Sequence, residues 1–373
     1  MTSPLSVIKV FFSCGANSMC DNYRYHSSGC IFFKRRLKYQ LYFIKEFGNF
    51  DHGYSSKKYL KGKKFYKYVS IKNSPFVKNY YDTGMKETKQ RHVGYVTLLG
   101  RPSAGKSSFI NAVIDDKISI VSSIPQTTRR LIRGIHTNDM YQIIFQDVPG
   151  LHSSAHHWNQ SINWVTKNAL NDTDIILRVI DGSRAKGEEE LIIDRIVSEA
   201  KVPVITIVTK SDLLSEKDKK RFPKEAIFVS NITHEGIDEV TKAVGEKLPT
   251  GPLLYPESDI TDQDVYTRVS EIIREKVFQT TYEEVPHHTY VEVETMEDKG
   301  KLVKILAYIF CTSESQKKIL VGNHGSKIKD IGTLARRDLQ DLFEKKVYLE
   351  LHVKVSENWQ DRENITRKVL GKM

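Results

Sequence analysis

No apolar stretch in these 373 residues reaches the roughly 18 positions that a membrane-spanning helix needs. Cysteine is scarce: Cys14, Cys20 and Cys30 fall near the start and Cys311 stands alone. They show no Cys-x-x-Cys spacing and have no histidine at ligand spacing, which speaks against a zinc site or a disulfide framework. A body with one cysteine suits an intracellular protein. Acid is the third shortage, and it is local. Residues 1–90 hold 17 Lys/Arg against 5 Asp/Glu, leaving 40 against 41 for the rest of the chain. The formal net charge of +11 therefore belongs to the N-terminal extension, and the basic balance says little about nucleic-acid binding by the body.

That extension, residues 1–90, is rich in Lys, Tyr, Phe and Ser and shows no sustained helical or strand periodicity. Basic, acid-poor leaders direct proteins to organelles, so a mitochondrial or plastid address is expected. Lysine dominates, with only Arg24, Arg35 and Arg36, whereas mitochondrial leaders prefer arginine. A disordered extension is the competing reading, and no structure is expected in this segment.

What is present begins at Val93. The apolar run Val93–Leu99 is followed by Gly100-Arg101-Pro102-Ser103-Ala104-Gly105-Lys106-Ser107-Ser108. This is a P-loop: a buried strand, a tight glycine turn whose N–H groups converge on an anion, then a helix whose positive end faces phosphate. Lys106 can reach the β- and γ-phosphates, and Ser107 can place a hydroxyl on Mg²⁺. Strands are expected at Tyr95–Leu99, Arg133–His136, Tyr141–Asp147, Ile175–Asp181, Pro203–Thr209 and Ala226–Ser230, with helices between. That alternation implies a mostly parallel α/β sheet covered on both faces, with the nucleotide beyond the strand carboxyl ends.

Other motifs follow in order. Asp147-Val148-Pro149-Gly150 closes a strand; Asp147 can hold the Mg²⁺ shell and the Gly150 N–H can meet the γ-phosphate. Pro125-Gln126-Thr127-Thr128-Arg129 offers a loop threonine for Mg²⁺, with Thr128 favoured over Thr127. Thr209-Lys210-Ser211-Asp212 follows an apolar strand. A carboxylate at Asp212 can accept from guanine N1–H and N2–H₂, a donor pair that adenine lacks, so GTP is favoured over ATP. Lys210 can pack along the base, and Ser230-Asn231 can offer backbone N–H to guanine O6. Glu188-Glu189-Glu190 suits the acidic first turn of a helix. The histidine pairs at 156–157 and 287–288 suit surface loops.

Pro249–Gln263 has the composition of a linker. Beyond it the pattern is helix, two strands, a helix–turn–helix around Gly322-Asn323-His324-Gly325, and a strand at Lys346–Val355. The order α-β-β-α-α-β with a Gly-x-x-Gly turn suits a type II KH domain, an α+β RNA-binding fold. The glycines let the backbone approach nucleotides. Ile319, Ile328 and Ile331 offer an apolar floor, and Lys317, Lys318, Lys327 and Lys329 offer phosphate contacts. His324 suits a solvent-facing place in the clamp rather than base reading.

Over residues 93–370 the chain resembles the Era family of GTPases, on the P-loop, Pro125–Arg129, Asp147–His152, Tyr255–Glu257 with Ile260–Asp262, Ile272–Lys276, and Ile319–Val355. The resemblance implies a GTP/GDP-binding domain at 91–248, a linker at 249–263 and a KH domain at 264–373. It implies slow GTP hydrolysis, Mg²⁺ as cofactor, and binding to the 3′ region of small-subunit ribosomal RNA during assembly of that subunit. It further implies a monomer, no DNA, and at most a secondary membrane association. Four departures stand out. Thr209 replaces the usual Asn, Ser103 replaces an Asn that helps hold potassium in related GTPases and so puts potassium stimulation in doubt, Asn231 follows Ser230 where Ala is usual, and Val148 replaces Thr. Leu151 stands where Ras-like enzymes place their water-orienting glutamine. An RNA-binding scaffold with a degenerate nucleotide site and a membrane-directed GTPase remain as rivals.

Overall fold

The computed structural model describes the backbone of residues 9–10, 43–44, 56–61 and 64–69, and then residues 91–122, 124, 127–150 and 157–371. The first group forms a unit of its own: an antiparallel sheet of β1 (Lys9–Val10), β2 (Phe43–Ile44), β3 (Ser56–Lys61) and β4 (Lys64–Val69), in the order β1-β2-β4-β3. Structure was not expected there. The overlooked signal is the pair of Lys/aromatic runs Ser56–Lys61 and Lys64–Val69, whose β-prone residues suit paired strands.

The second unit begins with β5 (Arg91–Leu99), whose inner residues Val93, Val96, Leu98 and Leu99 are buried. Around it lie β6 (Ile132–Thr137), β7 (Tyr141–Asp147), β8 (Ile175–Asp181), β9 (Val204–Thr209) and β10 (Ile227–Val229), in the order β10-β9-β8-β5-β7-β6. All neighbours are parallel except β6 on β7. Every residue of β7 is buried, as a strand covered on both faces demands. One face packs Val96, Ile143 and Leu177 against α1 (Lys106–Ile114) and α5 (Ile237–Gly245) through Phe109, Ile110, Val240 and Val244. The other packs Leu99, Val148 and Ile176 against α2 (His157–Asn171) and α3 (Glu188–Ser198) through Ala169 and Ile193. A short α4 (Glu216–Lys219) completes this half.

The segment taken as a linker is fastened rather than free. Its β11 (Thr250–Gly251) pairs antiparallel with β5, and further along the Ile135 N–H donates to the Ile260 carbonyl. Gln142 binds the backbone of Leu254 and Tyr255. Extended residues here satisfy edge groups that composition does not reveal.

The KH half follows the expected order: α6 (Val265–Thr280), β12 (Tyr290–Asp298), β13 (Leu302–Cys311), α7 (Glu314–Val321), α8 (Ser326–Phe343) and β14 (Lys346–Val355). β12 and β13 are antiparallel, and β13 and β14 parallel. The three helices bury Ile273, Val277, Leu320, Ile331 and Leu339 against Val303, Ile305 and Ile309. Ile331 is fully buried in that core and offers nothing to a base, which corrects its place in the expected floor. A helix unforeseen in sequence, α9 (Glu363–Leu370), returns the chain to the nucleotide-binding half, led by the buried Trp359.

Candidate functional site

β5 ends at Gly100, where an added Cβ would stand 2.5 Å from the Val179 carbonyl oxygen of β8, so the turn requires glycine for close approach. Gly105 has φ +85 and begins α1. Ser103 also holds a left-handed conformation, φ 60, a region that asparagine tolerates better than serine. Lys106 is buried, and its Nζ donates to the carbonyls of Gly100 at 2.9 Å and Arg101 at 3.1 Å. Burial pulls its pKa down, opposed by the carboxylates of Asp147 and Glu189. A phosphate in this loop would supply the charge that the carbonyls only partly match.

Three groups expected near a metal converge. Ser107 Oγ donates to Asp147 Oδ2 at 2.6 Å, Ser107 and Thr128 hydroxyls lie 3.1 Å apart, and Thr128 Oγ1 lies 3.4 Å from Asp147 Oδ2. Thr127 instead turns its hydroxyl to the Ile124 carbonyl, in keeping with the preference for Thr128. Asp147 is fully buried; burial raises its pKa, against the Lys106 charge and the hydroxyls of Ser107, Ser119 and Thr128. Its Oδ1 is buried without a partner among the described residues. An unpartnered carboxylate oxygen beside two hydroxyls fits a hydrated divalent cation. Gly150 abuts the loop, since a Cβ there would meet Pro102 at 3.0 Å. Leu151, His152, Pro125 and Gln126 lie outside the described residues.

Two expectations are corrected. Arg101 directs its side chain away from the loop: it is buried against Glu190 at 3.0 Å and Asp181 at 3.6 Å and donates to the Ala185 carbonyl. Its part in the loop is its backbone. The Ser230 N–H is spent on the Glu235 carbonyl, and Ser230 Oγ accepts from Ile232 and Thr233. Of this turn, Asn231 keeps an uncommitted N–H among the described residues. Asp212 is exposed at the end of β9. Lys210, at φ 59, pairs with Asp181 at 2.7 Å. Burial would raise the Asp181 pKa, but bonds from Lys210 and Ser183 outweigh it and hold the carboxyl below its usual range. Thr209 Oγ1 donates to the Ala104 carbonyl at 2.7 Å, so this threonine is engaged with the P-loop. Ala104 is buried, and Ser108 lies in the first turn of α1.

Residues flanking Thr128 grip the KH half. Arg274 of α6 donates to the Thr127 carbonyl at 2.7 Å and binds Glu271 through two nitrogens, at 3.1 and 2.6 Å. Burial would raise the Glu271 pKa, but the Arg274 charge overrides it and lowers it. Arg129 is buried, with its guanidinium donating to the carbonyls of Pro286, His287 and Thr289. It also lies 5.7 Å from the ring centroids of both Trp158 and Trp359. Arg130 reaches the Val369 carbonyl of α9 and the Thr267 hydroxyl. Beside them Lys117 and Lys276 share Glu275 and Asp338, and Glu275 accepts from the Val121 N–H. Sequence reasoning missed Arg129, Glu271, Arg274, Trp158 and Trp359. The available signal was Arg274-Glu275-Lys276, three charged residues in a row on an otherwise apolar-patterned helix, all buried. His287 is correspondingly half-buried and packs edge-on against Phe278 rather than standing in a surface loop.

In the KH half, Gly322 has φ +72, and a Cβ there would stand 2.7 Å from Lys327 Cβ. Gly325 has φ +78 with open space around it. Asn323 and His324 are exposed between them. Lys317 and Lys318 lie midway along α7, and Lys327 and Lys329 in the first turn of α8, so four cations stand on the helices either side of the turn. Ile328 is half-buried on the core edge, and Ile319 is half exposed.

The description "50S ribosome-binding GTPase" fits a family model matching residues 95–210, and "KH domain" one matching 284–360. GTPase Era of Treponema denticola is 41% identical over 289 residues, covering 74% of this chain and 98% of that protein. GTPase Era of Thermotoga petrophila is 40% identical, covering 74% and 96%. The chain belongs to the Era GTPase family. It is a GTPase, and its nucleotides are GTP and GDP. Among solved structures, Era bound to MgGDPNP and nucleotides 1506–1542 of 16S ribosomal RNA superposes with a TM-score of 0.70 at 30% identity, covering 76% of this chain and 99% of that one. A point variant of Aquifex aeolicus Era bound to GDP·AlF4⁻ gives 0.70 at 31%, covering 75% and 99%.

Proposed function

We propose that this GTPase binds the 3′ region of small-subunit ribosomal RNA through its KH domain and assists assembly of the small subunit, under control of the bound nucleotide. The division of labour is 91–248 for nucleotide, 249–263 for connection and 264–373 for RNA. One observation carries the reading: Thr128 lies in the cluster suited to a metal, while Thr127 and Arg129 on either side hold the KH half. The Era structure that holds both MgGDPNP and 16S RNA supports the same pairing of ligands.

Mg²⁺ would be held by Ser107, Thr128 and Asp147, where it would neutralise charge between the β- and γ-phosphates. Lys106 gives up its carbonyl partners for the phosphates. The N–H groups of the 100–108 turn and of α1 bind the phosphate oxygens, and the Gly150 N–H holds the γ-phosphate. Asp212 accepts from guanine N1–H and N2–H₂, Lys210 covers the base, and Asn231 N–H donates to O6. Once the γ-phosphate leaves, Thr128 loses a partner, and the contacts of Thr127 and Arg129 with α6 and the Pro286–Thr289 turn must adjust. On the RNA side, Gly322, Asn323, His324 and Gly325 admit the sugar–phosphate chain, Lys317, Lys318, Lys327 and Lys329 neutralise it, and Ile328 meets a base.

The basic extension supports an organellar address, mitochondrial or plastid, with the enzyme attached to ribosomes there. The engaged Thr209 hydroxyl argues against a degenerate site. The deciding experiment measures GTP turnover and RNA affinity of the full chain with GTP analogue and with GDP, using Lys106→Ala as control. RNA-stimulated turnover and nucleotide-dependent binding to small-subunit 3′ RNA are expected. Equal RNA affinity in both nucleotide states would overturn the switch.

A further inference from the structure

The base-reading half of a guanine pocket must be fixed to the phosphate loop, since one nucleotide spans both. Here β9 supplies a threonine for this purpose. The Thr209 hydroxyl has one proton but faces two carbonyls, Ala104 at 2.7 Å and Ile180 at 3.1 Å. An asparagine at this position would bring two amide protons. A second fastening comes from the neighbouring turn. Asn231 Nδ2 donates to the Gly105 carbonyl at 3.2 Å, adjoining the carbonyl that Thr209 holds. The same nitrogen lies 3.2 Å from where a Gly105 Cβ would stand, so the amide rests on the face of the loop glycine. Its Oδ1 is buried and unpartnered among the described residues, so the amide is gripped at its donor end.

The main chain of Asn231 is equally placed. The Ser230, Ile232 and Thr233 N–H groups are committed to Glu235 and to Ser230 Oγ. The N–H of Asn231 has no partner among the described residues, which leaves it available to a base. One residue thus offers its backbone to the base pocket and its side chain to the phosphate loop.

We infer that Asn231 is a positioning residue for guanine nucleotide: its amide fastens the base-reading turn to the P-loop and supplies the second amide donation that Thr209 lacks. This rests on the GTPase reading above and deepens it. Positions 209 and 231 are then interchangeable suppliers of one amide, and the unusual residues at both form one compensated arrangement.

The test is stopped-flow dissociation of mant-GDP from the full chain. Asn231→Ala should speed dissociation about tenfold, the worth of one net hydrogen bond. Asn231→Asp keeps the shape but removes the donor, and should speed it at least as much while melting near the wild-type temperature. Thr209→Asn introduced into Asn231→Ala should restore the rate to within about threefold, a rescue that a packing role would not give. An unchanged rate in both Asn231 variants, or no rescue by Thr209→Asn, would overturn the inference while leaving the GTPase reading intact. Failure of wild type to hold mant-GDP would overturn both.

Discussion

Arg274 donates to the carbonyl of Thr127, and the next residue along the chain, Thr128, points its hydroxyl at Ser107 and Asp147. A KH-domain helix therefore holds the residue adjoining the nucleotide cluster. The contact between this helix and the nucleotide loop is direct.

Arg274→Ala leaves Glu271 buried without its partner, and should lower unfolding free energy by about 3–5 kcal/mol. The double variant Arg274→Met with Glu271→Leu removes both charges and should recover most of that loss in denaturant melts. RNA affinity should then respond little to nucleotide. If the double variant regains nucleotide dependence along with stability, the ion pair serves packing alone.

Burial raises the Asp147 pKa above its unfolded value, so the folded nucleotide-free protein holds this proton to a higher pH than the unfolded chain does. Its contribution to stability is present below the unfolded pKa, about 3.9, and is lost as pH rises through the folded value. Asp147→Asn should therefore raise the melting temperature at neutral pH and show a shallower fall between acid and neutral conditions. The same variant should lose Mg²⁺-dependent GTP binding. A lower melting temperature at neutral pH would contradict this.

Both clamp glycines have positive φ, but only Gly322 also lacks room for a Cβ. Gly322→Ala should destabilise by about 2–4 kcal/mol and Gly325→Ala by about 1 kcal/mol. RNA binding, followed by fluorescence polarisation, should fall most in Gly322→Ala, with RNA-free GTP turnover preserved. If Gly325→Ala is the worse for RNA at normal stability, backbone approach to the nucleotide outweighs the helix turn.

Leucine can neither orient water nor stabilise charge, so Leu151→Gln should change single-turnover hydrolysis by less than about tenfold. A collapse of turnover would assign Leu151 a positioning role.

Most of the six strands around the P-loop were legible because they are short, largely apolar runs, and their edges fall within a few residues of those expected. The KH order was legible for the same reason, with glycines punctuating the helix pair. The fate of individual polar groups was not. Arg101 lies within a phosphate-binding motif, yet its side chain is claimed by Asp181 and Glu190, residues 80 and 89 positions away. The Ser230 N–H is taken by a carbonyl five residues on. The buried charges of α6 carry no apolar period to find, since their burial depends on a loop from the other half of the chain.

Trp359 packs edge-on against Trp158, and both rings lie beside the Arg129 guanidinium. The Trp359 indole N–H also donates to the His288 carbonyl, beside the carbonyls that Arg129 binds. Synthesis proceeds from the N-terminus, and domains fold as they emerge. The residues of the nucleotide pocket are thus synthesised early, while one of the two rings beside its neighbouring arginine comes among the final stretch of residues described. Of the two rings beside Arg129, Trp158 is made with the nucleotide-binding half, whereas Trp359 follows only after the whole KH core has been synthesised.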